Sequence, residues 1–197
     1  TTAASKCISI ALIEGDTEYP GVRFRGSTNT GPSNVTSDIS LTMPANIAAG
    51  DMLLAHLTLN EDRTVTTPAG WTLQANLATT GAMRAFSKIA TGADAGANLT
   101  IAFTGGSTTA SLAVSAFWSP DGATLQIGDV ATASDGSAAT HDFPTVTAEQ
   151  DGAALVMLTS KDQTTQYKLT NGLDMWERYD YGASSIRTSM FSEYLLA

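Results

Sequence analysis

The chain has 197 residues, of which 43% are hydrophobic and 15% are charged, so it is long enough to fold as one domain with a sizeable core. Its formal net charge is -9, which argues against binding to nucleic acid or to an anionic membrane through bulk electrostatics. The single cysteine, Cys7, excludes an internal disulfide and a cysteine-rich zinc site. No run approaches the roughly 18 apolar residues of a membrane helix, and the polar N-terminus lacks a signal-peptide pattern, so we expect folding in a reducing cytoplasm.

The first 21 residues combine a short alternating run with a turn-rich segment. Ile8, Ile10 and Leu12 lie on one side of the run, and Tyr19 sits among the turn residues that follow. The run is either an edge strand or an arm that packs on a neighbouring subunit, and these four side chains are candidate interaction residues. We expect residues 22–197 to form a single β-sandwich domain.

The clearest strand pattern lies at residues 52–60. Leu53, Leu57 and the other odd-numbered apolar residues share one face, and His56, Thr58 and Asn60 share the other. This alternation is typical of a half-buried antiparallel strand with one face in water. A polar segment and a turn that contains Pro68 and Gly70 then lead to a second alternating run at 71–77.

Similar short runs recur along the rest of the chain. Strands are predicted at 22–25, 39–43, 83–89, 99–103, 110–118 and 125–130, and residues 28–34 are predicted to be a loop. The runs are separated by glycine-rich turns, and no segment has a helical period. The chain is therefore predicted to be all-β, a two-sheet antiparallel β-sandwich of jelly-roll type with ten to twelve strands.

The last third of the sequence repeats the order of the first. Leu155 lies 101 residues after Leu54 (155 − 54), and Trp176 lies 105 residues after Trp71 (176 − 71). Arg187 follows Arg84 at a similar interval, within a strand-like run in both places. The pattern predicts two related halves of one sandwich. The alternative is that any two β-meanders with this composition would align equally well.

Residues able to carry chemistry are scattered rather than grouped. His56 has no carboxylate at a useful spacing, and His141-Asp142 lacks an accompanying nucleophile motif. Aspartates in glycine-rich turns are typical turn residues, although oxygen ligands for calcium remain an alternative. The sequence predicts a protein that is not an enzyme and has no cofactor and no transition metal.

Two tyrosines near the C-terminus are candidates for a binding patch. Tyr179 and Tyr181 flank Asp180 just before a glycine, whereas Trp71 and Trp118 are in register with apolar faces and are predicted to be core. Exposed aromatic rings at this position are suited to stacking on a saccharide.

Several motifs together carry a family resemblance. They are AGDMLLA at 49–55, PAGWT at 68–72, LTIAFTGGS at 99–107 and AFWSPD at 116–121. With the strand around Arg84, they resemble β-sandwich modules encoded in tailed-phage structural genes, over roughly residues 22–197. Those modules occur in capsid decoration proteins and in tail or fibre appendages.

The resemblance implies a structural role in a virion without a catalytic site. It implies a decoration (cement) protein that is assembled in the host cytoplasm, sits on the virion surface and binds between major capsid subunits. The expected partners are the major capsid protein lattice and further copies of the chain, as a dimer or trimer. The alternative is a tail-fibre or appendage module that binds host-surface carbohydrate.

Overall fold

The computed structural model describes residues 5–14, 21–135, 143–147, 153–161, 176–183 and 186–194. The described residues contain strands and connections and no helix, and they hold no helical segment long and apolar enough to cross a membrane. The strands are β1 (Ser5–Glu14), β2 (Arg23–Asn29), β3 (Ser33–Val35), β4 (Asp38–Thr42), β5 (Met52–Leu59), β6 (Thr64–Val65), β7 (Thr72–Leu77), β8 (Ala82–Ile89), β9 (Asn98–Thr104), β10 (Thr108–Trp118), β11 (Leu125–Asp135), β12 (Ala154–Lys161), β13 (Trp176–Ala183) and β14 (Ile186–Tyr194).

The strands form three antiparallel sheets. A central sheet has the order β2-β10-β5-β8-β7, with β3 also paired to β10; a five-stranded sheet has the order β11-β1-β12-β14-β13; and a small sheet has the order β4-β9-β6. The prediction of an all-β antiparallel sandwich is confirmed. Within the described residues the number of sheets is three rather than two, and the jelly-roll type stays a prediction. The predicted loop at 28–34 is wrong at both ends, because β2 extends to Asn29 and β3 begins at Ser33.

The central sheet is covered on both faces. One core lies between it and the small sheet and includes Leu53 and Leu57; the second lies between it and the five-stranded sheet and includes Met52 and Leu54. Every residue of β5 is buried. The prediction of a half-buried strand is therefore wrong, because the face that carries His56 and Thr58 also packs against a sheet.

β1 lies inside the five-stranded sheet. It pairs with β11 on one side and with β12 on the other, and Ile8, Ile10 and Leu12 are fully buried in the second core. The interpretation of this segment as an edge strand is therefore wrong, because Ser5–Glu14 has a paired strand on each side. The interpretation as an arm that packs on a neighbouring subunit stays a prediction.

The five-stranded sheet repeats the central sheet strand for strand. In order, β2, β10, β5, β8 and β7 correspond to β11, β1, β12, β14 and β13. Met52 pairs with Phe117 and Ile89, and its counterpart Ala154 pairs with Leu12 and Tyr194. The predicted relation between the two halves is present in the strand order and in the register.

The irregularities repeat as well. A bulge interrupts β7 between Leu73 and Ala75, and one interrupts β13 at the corresponding place, between Glu177 and Tyr179. The two sheets pack face to face reciprocally, since β10 contacts β14 and its counterpart β1 contacts β8. This is the arrangement of a two-fold symmetric dimer built within one chain.

Candidate functional site

Those candidate residues from the sequence whose side chains the structure describes do not form a surface site. Ile8, Ile10 and Leu12 are core residues, as described above. Tyr179 is also buried, at 7% exposure, and its hydroxyl lies 3.0 Å from His56 Nδ1. Tyr179 therefore joins the two large sheets and is not available for stacking on a sugar.

The remaining candidates lie outside the described residues in whole or in part. Tyr19, His141 and Asp142 fall in segments that the structure does not describe, and for Tyr181 it describes the backbone, which pairs with Thr188. His56 contacts Thr58 Oγ1 through Nε2 at 3.4 Å in addition to Tyr179. Burial lowers the pKa of His56 from 6.5 to about 3 and raises the pKa of Tyr179, so both groups are neutral near pH 7.

Two buried carboxylates serve the loops that hold them. Asp51 is paired with Arg25 (Nε to Oδ2 2.6 Å) and accepts the backbone N–H of Ala48 at 2.8 Å. Asp94 accepts hydrogen bonds from Lys88 Nζ at 2.6 Å and from the backbone and hydroxyl of Thr91. Burial would raise the pKa of Asp94, but the hydrogen bonds from Lys88 and Thr91 lower it overall. Both aspartates are accounted for as loop supports.

An open cleft is lined by residues of β6 in the small sheet and of β7 and β8 in the central sheet. We call it the β6–β7 cleft; its volume is about 350 Å³, and it is lined by Asp62, Arg63, Thr64, Val65, Thr67, Leu73, Asn76, Ala78, Arg84 and Phe86. Leu73 on its floor is 41% exposed, one of two exposed large hydrophobic residues among those described. The other, Ile89, is not part of the lining.

The charges of the cleft are paired with one another. Arg84 is 5% exposed and donates to Asp62 Oδ1 at 2.6 Å and to the carbonyl of Leu77 at 3.0 Å. Arg63 donates to the carbonyls of Gly106 (3.2 Å) and Ser107 (2.7 Å) and forms an ion pair with Glu61. Because each guanidinium has carboxylate and carbonyl partners, the cleft offers neither a free cation for an anionic ligand nor a matched acid and base.

The backbone at the cleft is better suited to binding than the charges are. β7 ends the central sheet and β6 ends the small sheet, so in the described part of the chain each has one side without a neighbouring strand. Such an edge can accept an extended peptide through backbone hydrogen bonds, with pockets beside it for alternate side chains. Leu73 offers an apolar contact and Asn76 a polar one at the same edge.

The residues of this cleft are not distinguished by any motif in the sequence. One signal was available: Arg84 stands in the middle of the apolar strand β8, where a buried guanidinium requires a charged partner, and Asp62 in the run Glu61-Asp62-Arg63 supplies it. The position of Leu73 at an edge could not be found in the same way, because alternation does not tell how far a covering sheet extends.

The described residues contain no group of three or more His, Cys, Asp or Glu side chains placed to hold a metal ion. No family model, no curated protein and no solved structure matches the chain.

Proposed function

We propose that the protein is a non-enzymatic structural protein of a tailed-phage virion, a capsid decoration protein that binds between major capsid subunits. The resemblance of its motifs to phage β-sandwich modules supports the virion context. The observation that carries the binding role is the β6–β7 cleft, where two sheet edges and the exposed Leu73 flank one groove. An added strand from an extended segment of a capsid subunit is the binding mode that such an edge supports.

The charge of the protein agrees with a protein partner rather than with the packaged genome. A net charge of -9 repels nucleic acid and favours a partner surface that is locally basic. On the virion surface the protein would act as a symmetric oligomer, a dimer or trimer, in keeping with the symmetry of a capsid lattice.

A sedimentation experiment tests the proposal. The full-length protein is mixed with empty capsids assembled from the major capsid protein of the same genome, and the bound fraction is measured after the capsids are pelleted. We expect saturable binding that Leu73→Glu weakens by on the order of tenfold or more, because a charge in the groove must be desolvated. The matched control is Ile89→Glu, which changes a residue of nearly equal exposure, 40%, outside the cleft. Absence of co-sedimentation would refute the decoration role.

The size and lining of the same cleft favour a second candidate function, recognition of a saccharide. A volume of about 350 Å³ lies within the range of small-ligand sites, and Asp62, Asn76 and Thr67 offer polar groups beside the apolar Leu73. A glycan array with the wild type and Asn76→Ala distinguishes the two functions. Saccharide binding that is lost in this variant, without binding to capsids, would favour the appendage module.

A further inference from the structure

One interior strand of the five-stranded sheet comes from a distant part of the chain. β1 ends at Glu14, whereas its partners β11 and β12 begin at Leu125 and Ala154. In the central sheet the corresponding strand, β10, follows β8 and β9 directly, so that sheet is made from one continuous stretch. The two equivalent strands therefore differ in how they are connected, although their pairings match.

The contacts of β1 with the rest of the fold are made by the ten residues of the strand itself. It pairs with β11 and β12 along its length, and Lys6 Nζ donates to the hydroxyl of Ser134 on β11. Ile8, Ile10 and Leu12 are fully buried in the second core, which stabilises the strand in this place. These contacts are made with β8, β11, β12 and the second core.

The same contacts form whichever copy of the chain supplies the strand. We propose that β1 is exchanged between two copies, so that Ser5–Glu14 of each completes the five-stranded sheet of the other and the two form a closed dimer. The exchanged and unexchanged forms keep every strand pairing of β1 and differ in which copy of the chain supplies it. The proposal does not depend on the function proposed above.

The order of folding favours the exchange. The central sheet is built from residues 23–118 and can form from contacts that are closer in sequence. β1 can pair only after β11 and β12 are in position. If the same chain supplies β1, this pairing closes a loop of more than a hundred residues, which costs conformational entropy. At high protein concentration, the strand of a second copy competes for this place.

A disulfide placed between β1 and β12 shows which copy supplies the strand. Cys7 is the sole cysteine and is the register partner of Thr159. The full-length Thr159→Cys variant is refolded at low and at high concentration, oxidised and analysed by non-reducing electrophoresis. We expect an intrachain disulfide at low concentration and a disulfide-linked dimer whose share rises with concentration. An intrachain disulfide at every concentration would overturn the proposal.

A matched control uses the equivalent strand pair in the central sheet. Thr58 and Ser111 are register partners on β5 and β10, so the triple variant Cys7→Ser/Thr58→Cys/Ser111→Cys tests a strand that lies mid-chain. It should give only intrachain disulfides.

Light scattering on the wild type decides the question if the disulfide of the Thr159→Cys variant does not close. Exchange predicts a dimer after refolding at high concentration. This dimer persists on dilution and returns to monomer only after unfolding and refolding at low concentration. A monomer throughout would overturn the exchange.

Discussion

At the residue scale, the buried pair of His56 and Tyr179 links the two large sheets. His56 lies on β5 and Tyr179 on β13, and both side chains are buried between those sheets. In the five-stranded sheet the residue equivalent to His56 is Leu158, which is an ordinary core residue. The hydrogen bond therefore replaces apolar packing at this one place and satisfies two groups that would be costly to bury unpaired.

This pair makes the stability of the protein depend on pH. The pKa of His56 is about 3 in the folded protein and 6.5 when unfolded, so between these values only the unfolded chain takes up the proton. The free energy of unfolding should thus be highest above pH 6.5 and fall as the pH drops toward 3, by on the order of a few kcal/mol. Urea unfolding at about pH 7, 5.5 and 4 measures this loss.

The double variant His56→Leu/Tyr179→Phe removes both polar groups together and should show a smaller loss of stability between about pH 7 and pH 4. The comparison variant His141→Gln changes the other histidine and measures how much of the pH dependence comes from a histidine other than His56. An unchanged dependence in the double variant would show that carboxylates, rather than His56, determine the acid response.

Another residue-scale feature is the ion pair made at a bulge. The register of β2 against β10 shifts between Ala116 and Phe117, which leaves Arg25 as the extra residue. Its guanidinium reaches Asp51 and lies 4.8 Å from the ring centre of Trp118. The bulge therefore directs the side chain of Arg25 toward Asp51, whereas a regular strand would have placed it elsewhere.

Removing this guanidinium should destabilise the protein. Arg25→Ala leaves Asp51, which is 3% exposed, without its charged partner, and we expect a loss of about 1–3 kcal/mol. Chemical denaturation of Arg25→Ala, Asp51→Asn and the double variant measures the coupling between the two. Strictly additive losses would contradict a direct interaction.

At the scale of the strand, the sequence predicts the elements better than their partners. The strands at 39–43, 71–77, 83–89, 99–103 and 110–118 are present within a few residues, because alternation and turn residues are local signals. The repeat is predicted as well, but the sequence pattern aligns Leu54 with Leu155, whereas in the structure Leu54 corresponds to Val156. A shift of one residue places a side chain on the opposite face, and only the bulges and pairings fix the true register.

The place of β1 could not have been predicted from local patterns. Its run of Ile8, Ile10 and Leu12 is compatible with an edge, an arm or an interior strand. What decides between them is pairing with β11 and β12, more than a hundred residues away. The cleft was missed for a related reason, since it exists only where the small sheet ends.

A substitution in β1 distinguishes a strand inside a sheet from a free arm. Ile10→Ala leaves a cavity in the second core and should lower the free energy of unfolding by about 2–5 kcal/mol, whereas truncation in a free arm would cost almost nothing. Urea denaturation of the isolated protein measures the change. Leu73→Ala, at an exposed position, is the comparison and should change the free energy of unfolding by about 1 kcal/mol at most. Equal, small effects for both variants would place β1 outside the core.

At the scale of the whole molecule, the central sheet couples the two cores. Alternate residues of β5 and β10 face opposite cores, so a strand that leaves the sheet disrupts both at once. The duplicated sheets supply the second core, and the small sheet covers the remaining face of the central one. The domain should therefore unfold as one unit rather than in two steps.

Two leucines, one in the core on each side of the central sheet, test this coupling. Leu57 belongs to the first core and Leu158 to the second, and both are almost fully buried. Leu57→Ala and Leu158→Ala should each lower the midpoint of a single thermal transition, with a loss of about 2–5 kcal/mol. Differential scanning calorimetry measures it, and the calorimetric and van't Hoff enthalpies should agree in both variants. If Leu158→Ala instead splits the transition in two, the five-stranded sheet unfolds separately, and the central sheet with its small cover is stable without it.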